Sequence, residues 1–235
     1  PTGSRLVFGG DGVLETSGIF SRNLGTGTGD VQWASDASGG FAAHGAPLAV
    51  RLNGGTAAVT WDGTSNFVQG HRSLLLGSAT ADNTVNFQND LVLGAFNPDG
   101  GDYRDSTDRI ITVTDNPLSG NDWAEISGNI TGSDAEETQR KEGSGTLVLS
   151  GTNSHSGATV VAEGTMRVEG SLATSRLTVN PGATLGGSGS IAGPIAVTAN
   201  ATLAPGSSFG VMTASDGVTF DSTSTFEAEV GGLTA

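Results

Sequence analysis

The chain contains no cysteine, which excludes a disulfide framework and any thiolate metal site. Lysine is almost missing: Lys141 is the only one among ten basic residues. Charged residues make up 14 % of the chain, against about 25 % in an ordinary domain. That scarcity argues against a disordered polyampholyte, because disorder goes with high charge and few β-branched residues. Apolar runs are only a few residues long, so no segment is predicted to span a membrane. Helical periodicity of useful length and the three-residue glycine period of collagen are both absent,. Ten basic residues face 24 acidic ones, for a net charge of −14. Such a surface repels phosphate backbones, so nucleic acid is not an expected partner.

What fills the chain instead is small. Glycine takes 38 of 235 positions, and serine and threonine take 25 and 28 more. These residues separate runs of alternating apolar and polar side chains, three to five long, which is the signature of short strands with one face inward. The length fits one domain, or at most two. Pro1 opens the chain with no visible leader segment, so a mature product or a fragment is expected.

The last third repeats itself. Val179 and Val197 recur at a spacing of 18, as do Leu185 and Leu203. Upstream, Gly145-Thr-Leu-Val-Leu-Ser-Gly and Gly164-Thr-Met-Arg-Val-Glu-Gly recur at 19, and Gly217-Val-Thr-Phe-Asp-Ser-Thr-Ser-Thr-Phe is a looser copy. Short strands at a period of about 18–21 residues predict a β-solenoid whose coils stack. A single coil orders too much backbone for the few apolar side chains it buries, so stacking is obligatory. Residues 1–140 have the same texture with less regularity, and 141–235 carry the regular coils of the same continuous solenoid. In the first part Leu74-Leu-Leu, Thr84-Val-Asn-Phe, Leu91-Val-Leu and Ile110-Ile-Thr-Val-Thr read as strands. Ala58-Val-Thr-Trp-Asp-Gly-Thr-Ser-Asn-Phe resembles the copy at 217–226, and Trp33, Trp61 and Trp123 read as core fillers of wider coils. Segment 97–108 and the charged run 133–142 break the pattern. The second reads as an exposed loop, with Lys141 as a solvated charge.

Gly143-Ser-Gly-Thr-Leu-Val-Leu-Ser-Gly-Thr-Asn-Ser-His-Ser-Gly-Ala-Thr-Val-Val-Ala-Glu-Gly-Thr-Met-Arg-Val resembles the autotransporter-associated β-strand repeat, also called the passenger-associated transport repeat. His155 stands where that pattern usually has an aromatic, and Met166 replaces its last leucine. Leu185-Gly-Gly-Ser-Gly-Ser-Ile and Leu203-Ala-Pro-Gly-Ser-Ser-Phe-Gly are similar to the family's continuation. The resemblance implies an all-β right-handed parallel β-helix, secreted and displayed outside a bacterium or on its outer surface. It also implies a longer precursor, since the repeat pattern looks unfinished at Gly231-Gly-Leu-Thr-Ala.

Chemistry is sparse. Parallel β-helices include polysaccharide lyases, which need clustered acids on Ca²⁺ and a basic residue. The local candidate is Asn97-Pro-Asp-Gly-Gly-Asp-Tyr-Arg-Asp-Ser-Thr-Asp, where Asp99, Asp102, Asp105 and Asp108 offer oxygens to calcium, with Arg104 or Arg109 beside them. Its spacing fits no EF-hand loop, and a solvated acidic turn is the plainer reading. His44, His71 and His155 lie far apart and read as surface or corner residues. Gly187-Ser-Gly-Ser sits in a repeat corner, not in a nucleophile elbow; Gly25-Thr-Gly-Thr-Gly lacks the lysine of a phosphate loop. No catalytic or cofactor-binding residue is assigned.

Three functions follow. The leading one is a non-enzymatic building block of an extracellular fibre, filament or surface layer, with copies joined head to tail through uncapped end coils. The alternative is an adhesin or passenger stalk that binds carbohydrate or a cell-surface component through its inserted loops. The remote one is a polysaccharide lyase.

Overall fold

The computed structural model describes residues 3–70, 72–94, 107–206 and 210–228. Among them there are strands, turns and bends but no helix. Every pairing between named strands is parallel. The chain winds as a parallel β-helix with three faces. The first face stacks Ser73–Leu76, Asp108–Val113, Thr138–Glu142, Ala158–Val161, Leu177–Val179, Ile195–Val197 and Val218–Phe220. The second stacks Val85–Phe87, Ala124–Ile126, Thr146–Leu149, Thr165–Val168, Thr184–Gly187, Thr202–Pro205 and Thr225–Phe226. The long strands Gly12–Arg22 and Gly39–Leu52 bend across both faces and join them into one sheet. The third face is cut into shorter ladders: Val59–Thr60, Leu91–Val92 and Ile130–Thr131, then Thr152–Asn153, Ser171–Ala173, Ser190–Ala192 and Thr213–Ala214.

The sequence repeats are the register of these ladders. Val179 pairs with Val197 and Leu185 with Leu203. Leu147 pairs with Met166, the equivalence between the Gly145 and Gly164 copies. The 18–20 residue coil belongs to the later part. Going back up the first face, Val161 pairs with Lys141, Lys141 with Ile111 and Ile111 with Leu74, so the coil widens from 20 residues to 30 and 37. The filling changes accordingly. Narrow coils stack aliphatic columns such as Leu147, Met166, Leu185 and Leu203, all buried. Wide coils enclose rings: Trp33 packs 4.7 Å from Phe8 and 5.1 Å from Phe67, and Trp61 lies 6.2 Å from Phe67.

Several expectations are corrected. The run 133–142 is a loop only in its first half: 133–136 is a largely exposed turn, whereas Thr138–Glu142 is a central strand of the first face, with Gln139 and Lys141 pointing inward. The strand alternates as required, but its inward residues are polar, which hides the pattern. Trp123 is not a core filler; it is 37 % exposed, whereas Trp33 and Trp61 are buried. His155 is not a surface or corner residue but fully buried. The likeness of 58–67 to 217–226 is not structural equivalence, because Val59–Thr60 lies on the third face and Val218–Phe220 on the first.

Two devices hold coil to coil. A column of glycines, Gly128, Gly151, Gly170 and Gly189, lets backbones meet at one corner: a Cβ on Gly170 would stand 2.1 Å from the Gly151 carbonyl, and one on Gly189 2.1 Å from that of Gly170. Buried asparagines clip the third face. Asn153 accepts from the Ile130 N–H at 3.0 Å and donates to the Ser171 carbonyl at 3.0 Å, bridging three coils. This matches the rule that buried amides are retained where every arm finds a partner.

Candidate functional site

The turn between the first and second faces is three residues (143–145, 162–164) or four (180–183, 198–201, 221–224) in the later coils. In the coils above it grows to 77–84 and then 114–123. Both long turns rise from the same edge. Solenoids collect insertions on one face in this way, and that face is commonly the binding one.

The 114–123 turn is held by its own polar groups. The Asn116 N–H donates to Asp122 Oδ2 at 2.6 Å, the Asn116 side-chain amide to the Ala81 carbonyl at 2.7 Å, and the Leu118 N–H to Asn116 Oδ1 at 3.1 Å. Both Asn116 and Asp122 are buried. Trp123 ends the turn, and its carbonyl accepts from the Val85 N–H at 3.2 Å. Below the turn lies a cleft of about 280 Å³ lined by Asp115, Ser119, Asp122, Trp123, Thr146 and Arg167. Thr146 and Arg167 project outward from the regular second face beneath the overhang. Arg167 is drawn to Glu169 at 2.6 Å.

The neighbouring edge cluster sits at the 77–84 turn. His44 Nδ1 lies 3.2 Å from Glu15 and 3.6 Å from Asp82. Ser78 and Thr80 donate to the other Glu15 oxygen at 3.0 and 2.8 Å. The Asn83 side-chain amide and the Gly45 N–H hold Asp82 below the usual carboxylate range. The serine bonds the carboxylate and not the imidazole, so this is not the nucleophile–base order of a triad.

A second polar group lies inside the helix. Arg109, Gln139 and Thr159 are cross-strand neighbours on the first face, all buried. Arg109 donates to the Leu93 carbonyl at 2.6 Å and pairs with Glu137, and Asp62 stands 3.5 Å away. Burial pushes the Glu137 carboxyl up to about 7 against the pull of Arg109. His155 Nε2 meets Thr159 Oγ1 at 2.9 Å, and burial lowers the imidazole to about 4. Lys141 is sheltered too: its ammonium donates to the carbonyls of Glu142, Gly143 and Glu163, and burial lowers it to about 8. Arg109 and Lys141 each bond a residue of a neighbouring coil, whereas both polar atoms of the buried Gln139 amide lack a hydrogen-bond partner.

Of the sequence-derived calcium candidates, Asp99, Asp102 and Asp105, with Arg104, lie outside the described residues. Asp108 begins a first-face strand, and Arg109 turns into the core beside it. Among the described residues no three His, Asp or Glu side chains converge on a metal-sized site. His71 also lies outside the described residues. The Trp123 cleft escaped the sequence because its lining comes from three separate coils.

A parallel β-helix with glycine-tight corners and long turns gathered on one edge defines the class. Residues 140–168 match the family model described as the passenger-associated-transport-repeat, covering the strands from the end of Thr138–Glu142 through Thr165–Val168. The chain is also 44 % identical over 69 residues to a protein named adhesin BmaC autotransporter, from Brucella suis biovar 1 (strain 1330). That stretch is 28 % of this chain and 2 % of the relative. No solved structure matches significantly. The chain therefore carries a passenger-associated transport repeat at 140–168.

Proposed function

We propose that the chain is a non-enzymatic, adhesin-like passenger segment displayed on the exterior of a bacterium, with the β-helix as stalk and the edge loops as its contact region. The observation that carries this reading is the pair of long turns, 77–84 and 114–123, rising from one edge of a solenoid whose coils at 140–168 match the transport repeat. The likeness to an autotransporter adhesin supports it. Inward positions are buried, so contact falls to outward side chains and the edge turns.

The test is adhesion of beads coated with the chain to host cells and to immobilised surface polymers. A variant with 114–123 cut to a three-residue turn, as at 143–145, serves as comparison. Adhesion that drops with the shortened turn supports the reading; equal adhesion, or none by either, overturns it. Release of unsaturated or reducing ends from polyuronates with calcium present would overturn the non-enzymatic part.

Head-to-tail association is a second reading. Val211, Phe220 and Phe226 are exposed, and Val211 and Phe226 line an apolar hollow with Leu203, Met212 and Val218 at the last described coil. Sedimentation at rising concentration tests it: growth into longer species that Phe226→Ser suppresses supports it, and a monomer throughout overturns it.

A further inference from the structure

We propose that the cleft beside Trp123 binds a neutral pyranose ring of a glycan, which stacks on the indole while its hydroxyls bond Asp115, Ser119 and Arg167. The proposal deepens the adhesin reading and rests on it.

Four observations converge. Trp123 is the only one of the three tryptophans not buried, at 37 % exposed against 3 % for Trp33 and none for Trp61. An indole left partly in water at the mouth of a cleft offers a flat apolar face, to which the C–H face of a sugar is complementary. Secondly, the cleft is preformed. The Asn116–Asp122 and Asn116–Ala81 hydrogen bonds fix the overhang without help from the cleft's occupant, so little ordering entropy is lost on binding. Thirdly, the remaining lining holds both acceptors and donors. Asp115 and Ser119 of the overhanging turn share the lining with Thr146 and Arg167 of the coils beneath. Sugar hydroxyls both donate and accept and satisfy such a set, whereas an apolar side chain would strand it. Fourthly, size and charge select among sugars. About 280 Å³ is at the small end of ligand sites, roughly 300–1,000 Å³, enough for one or two rings. Two carboxylates against one arginine already paired with Glu169, on a chain of net charge −14, disfavour sialylated, sulfated and uronate glycans.

Because Trp33 and Trp61 are buried, tryptophan emission that responds to ligand reports on Trp123. The test titrates the chain with maltotriose, cellotriose, mannotriose and chitotriose, and in parallel with sialyllactose, trigalacturonate and choline. The expected result is an emission shift and saturation-transfer signal with at least one neutral trisaccharide, at a Kd on the order of 0.1–1 mM. Trp123→Ala should weaken it about tenfold or more, and Trp123→Phe less, because a flat ring remains. Circular dichroism melting shows that each variant is folded. Binding by none of the neutral sugars, preference for the acidic sugars or for choline, or unchanged binding by folded Trp123→Ala overturns the proposal. Bead adhesion that persists in Trp123→Ala but falls when 114–123 is shortened overturns this ligand and leaves the adhesin reading standing. Adhesion lost in both variants supports the two readings together, and no adhesion by the parent chain overturns both.

Discussion

Arg109 and Glu137 form an ion pair wholly inside the solenoid, with side chains 1 % and 2 % exposed. The arginine belongs to a first-face strand and the glutamate to the turn that enters the next coil, so the pair joins two coils of unequal width. Breaking a buried pair from one side strands the other charge, which typically destabilises by about 3–5 kcal/mol. Glu137→Ala is expected to show a loss of this size in urea denaturation. Glu137→Gln should lose less than half as much, because the carboxyl is held up to about 7 and is already partly neutral near that pH. Replacing both residues with leucine and methionine should recover most of the loss. A double variant as weak as Glu137→Ala would contradict this.

Two of the buried titrating groups, His155 and Glu137, pull stability in opposite directions between pH 4 and 7. His155 titrates near 4 in the fold against an ordinary 6.5, so between pH 6.5 and 4 the unfolded chain takes a proton that the folded chain refuses. Stability due to His155 therefore falls as pH drops through that window. Glu137 titrates near 7 against 4.5. Between those values the folded chain holds the extra proton, and stability falls as pH rises. The two offset one another from about pH 4.5 to 6.5. In His155→Phe only the Glu137 dependence survives, so its melting temperature should climb as pH goes from 7 to 5 while that of the parent stays nearly level. Parallel profiles in the two proteins would refute the assignment.

Lys141 has every ammonium proton committed, to the carbonyls of Glu142, Gly143 and Glu163. Amine acylation requires the free base at the surface. Mass spectrometry after brief acetic anhydride treatment at neutral pH should find Lys141 unmodified in the folded chain and modified in urea. Modification at equal rates in both would show that the side chain is not sheltered. Lys141→Met should destabilise by about 1–3 kcal/mol, because buried carbonyls lose their donor.

The glycine column makes a steric prediction. At Gly170 a methyl group would meet the Gly151 carbonyl at 2.1 Å and that of Ser150 at 2.5 Å. Backbone on the neighbouring coil cannot step aside without breaking ladder bonds. Gly170→Ala should therefore lower stability by about 2 kcal/mol or more. Gly55→Ala, where nothing lies within 4 Å and φ is not left-handed, should stay within about 0.5 kcal/mol of the parent. Thermal or chemical unfolding of the two variants side by side is the check.

The sequence revealed ladders where apolar inward positions also recur at a fixed spacing. Val179 over Val197 and Leu185 over Leu203 were readable because one period governs both strand and spacing. Thr138–Glu142 was not, since Gln139 and Lys141 occupy the inward positions and Arg140 and Glu142 the outward ones. A two-residue period is invisible when both of its phases are polar. Equivalence also failed at Val59: a short apolar run does not say which face it joins. Trp123 looked like Trp33 and Trp61, because what distinguishes it is the length of a turn, not the residue.

Turn length has a further consequence. Closing a chain segment of 39 residues instead of 18, the extremes between cross-strand partners such as Val85 and Ala124's register and Val161 and Val179's, costs only about 0.7 kcal/mol more in closure entropy. Surplus residues can thus be added at the rim almost freely while the stacked backbones beneath keep their partners. Evolution can lengthen, shorten or rewrite that rim without disturbing how the coils beneath it fold.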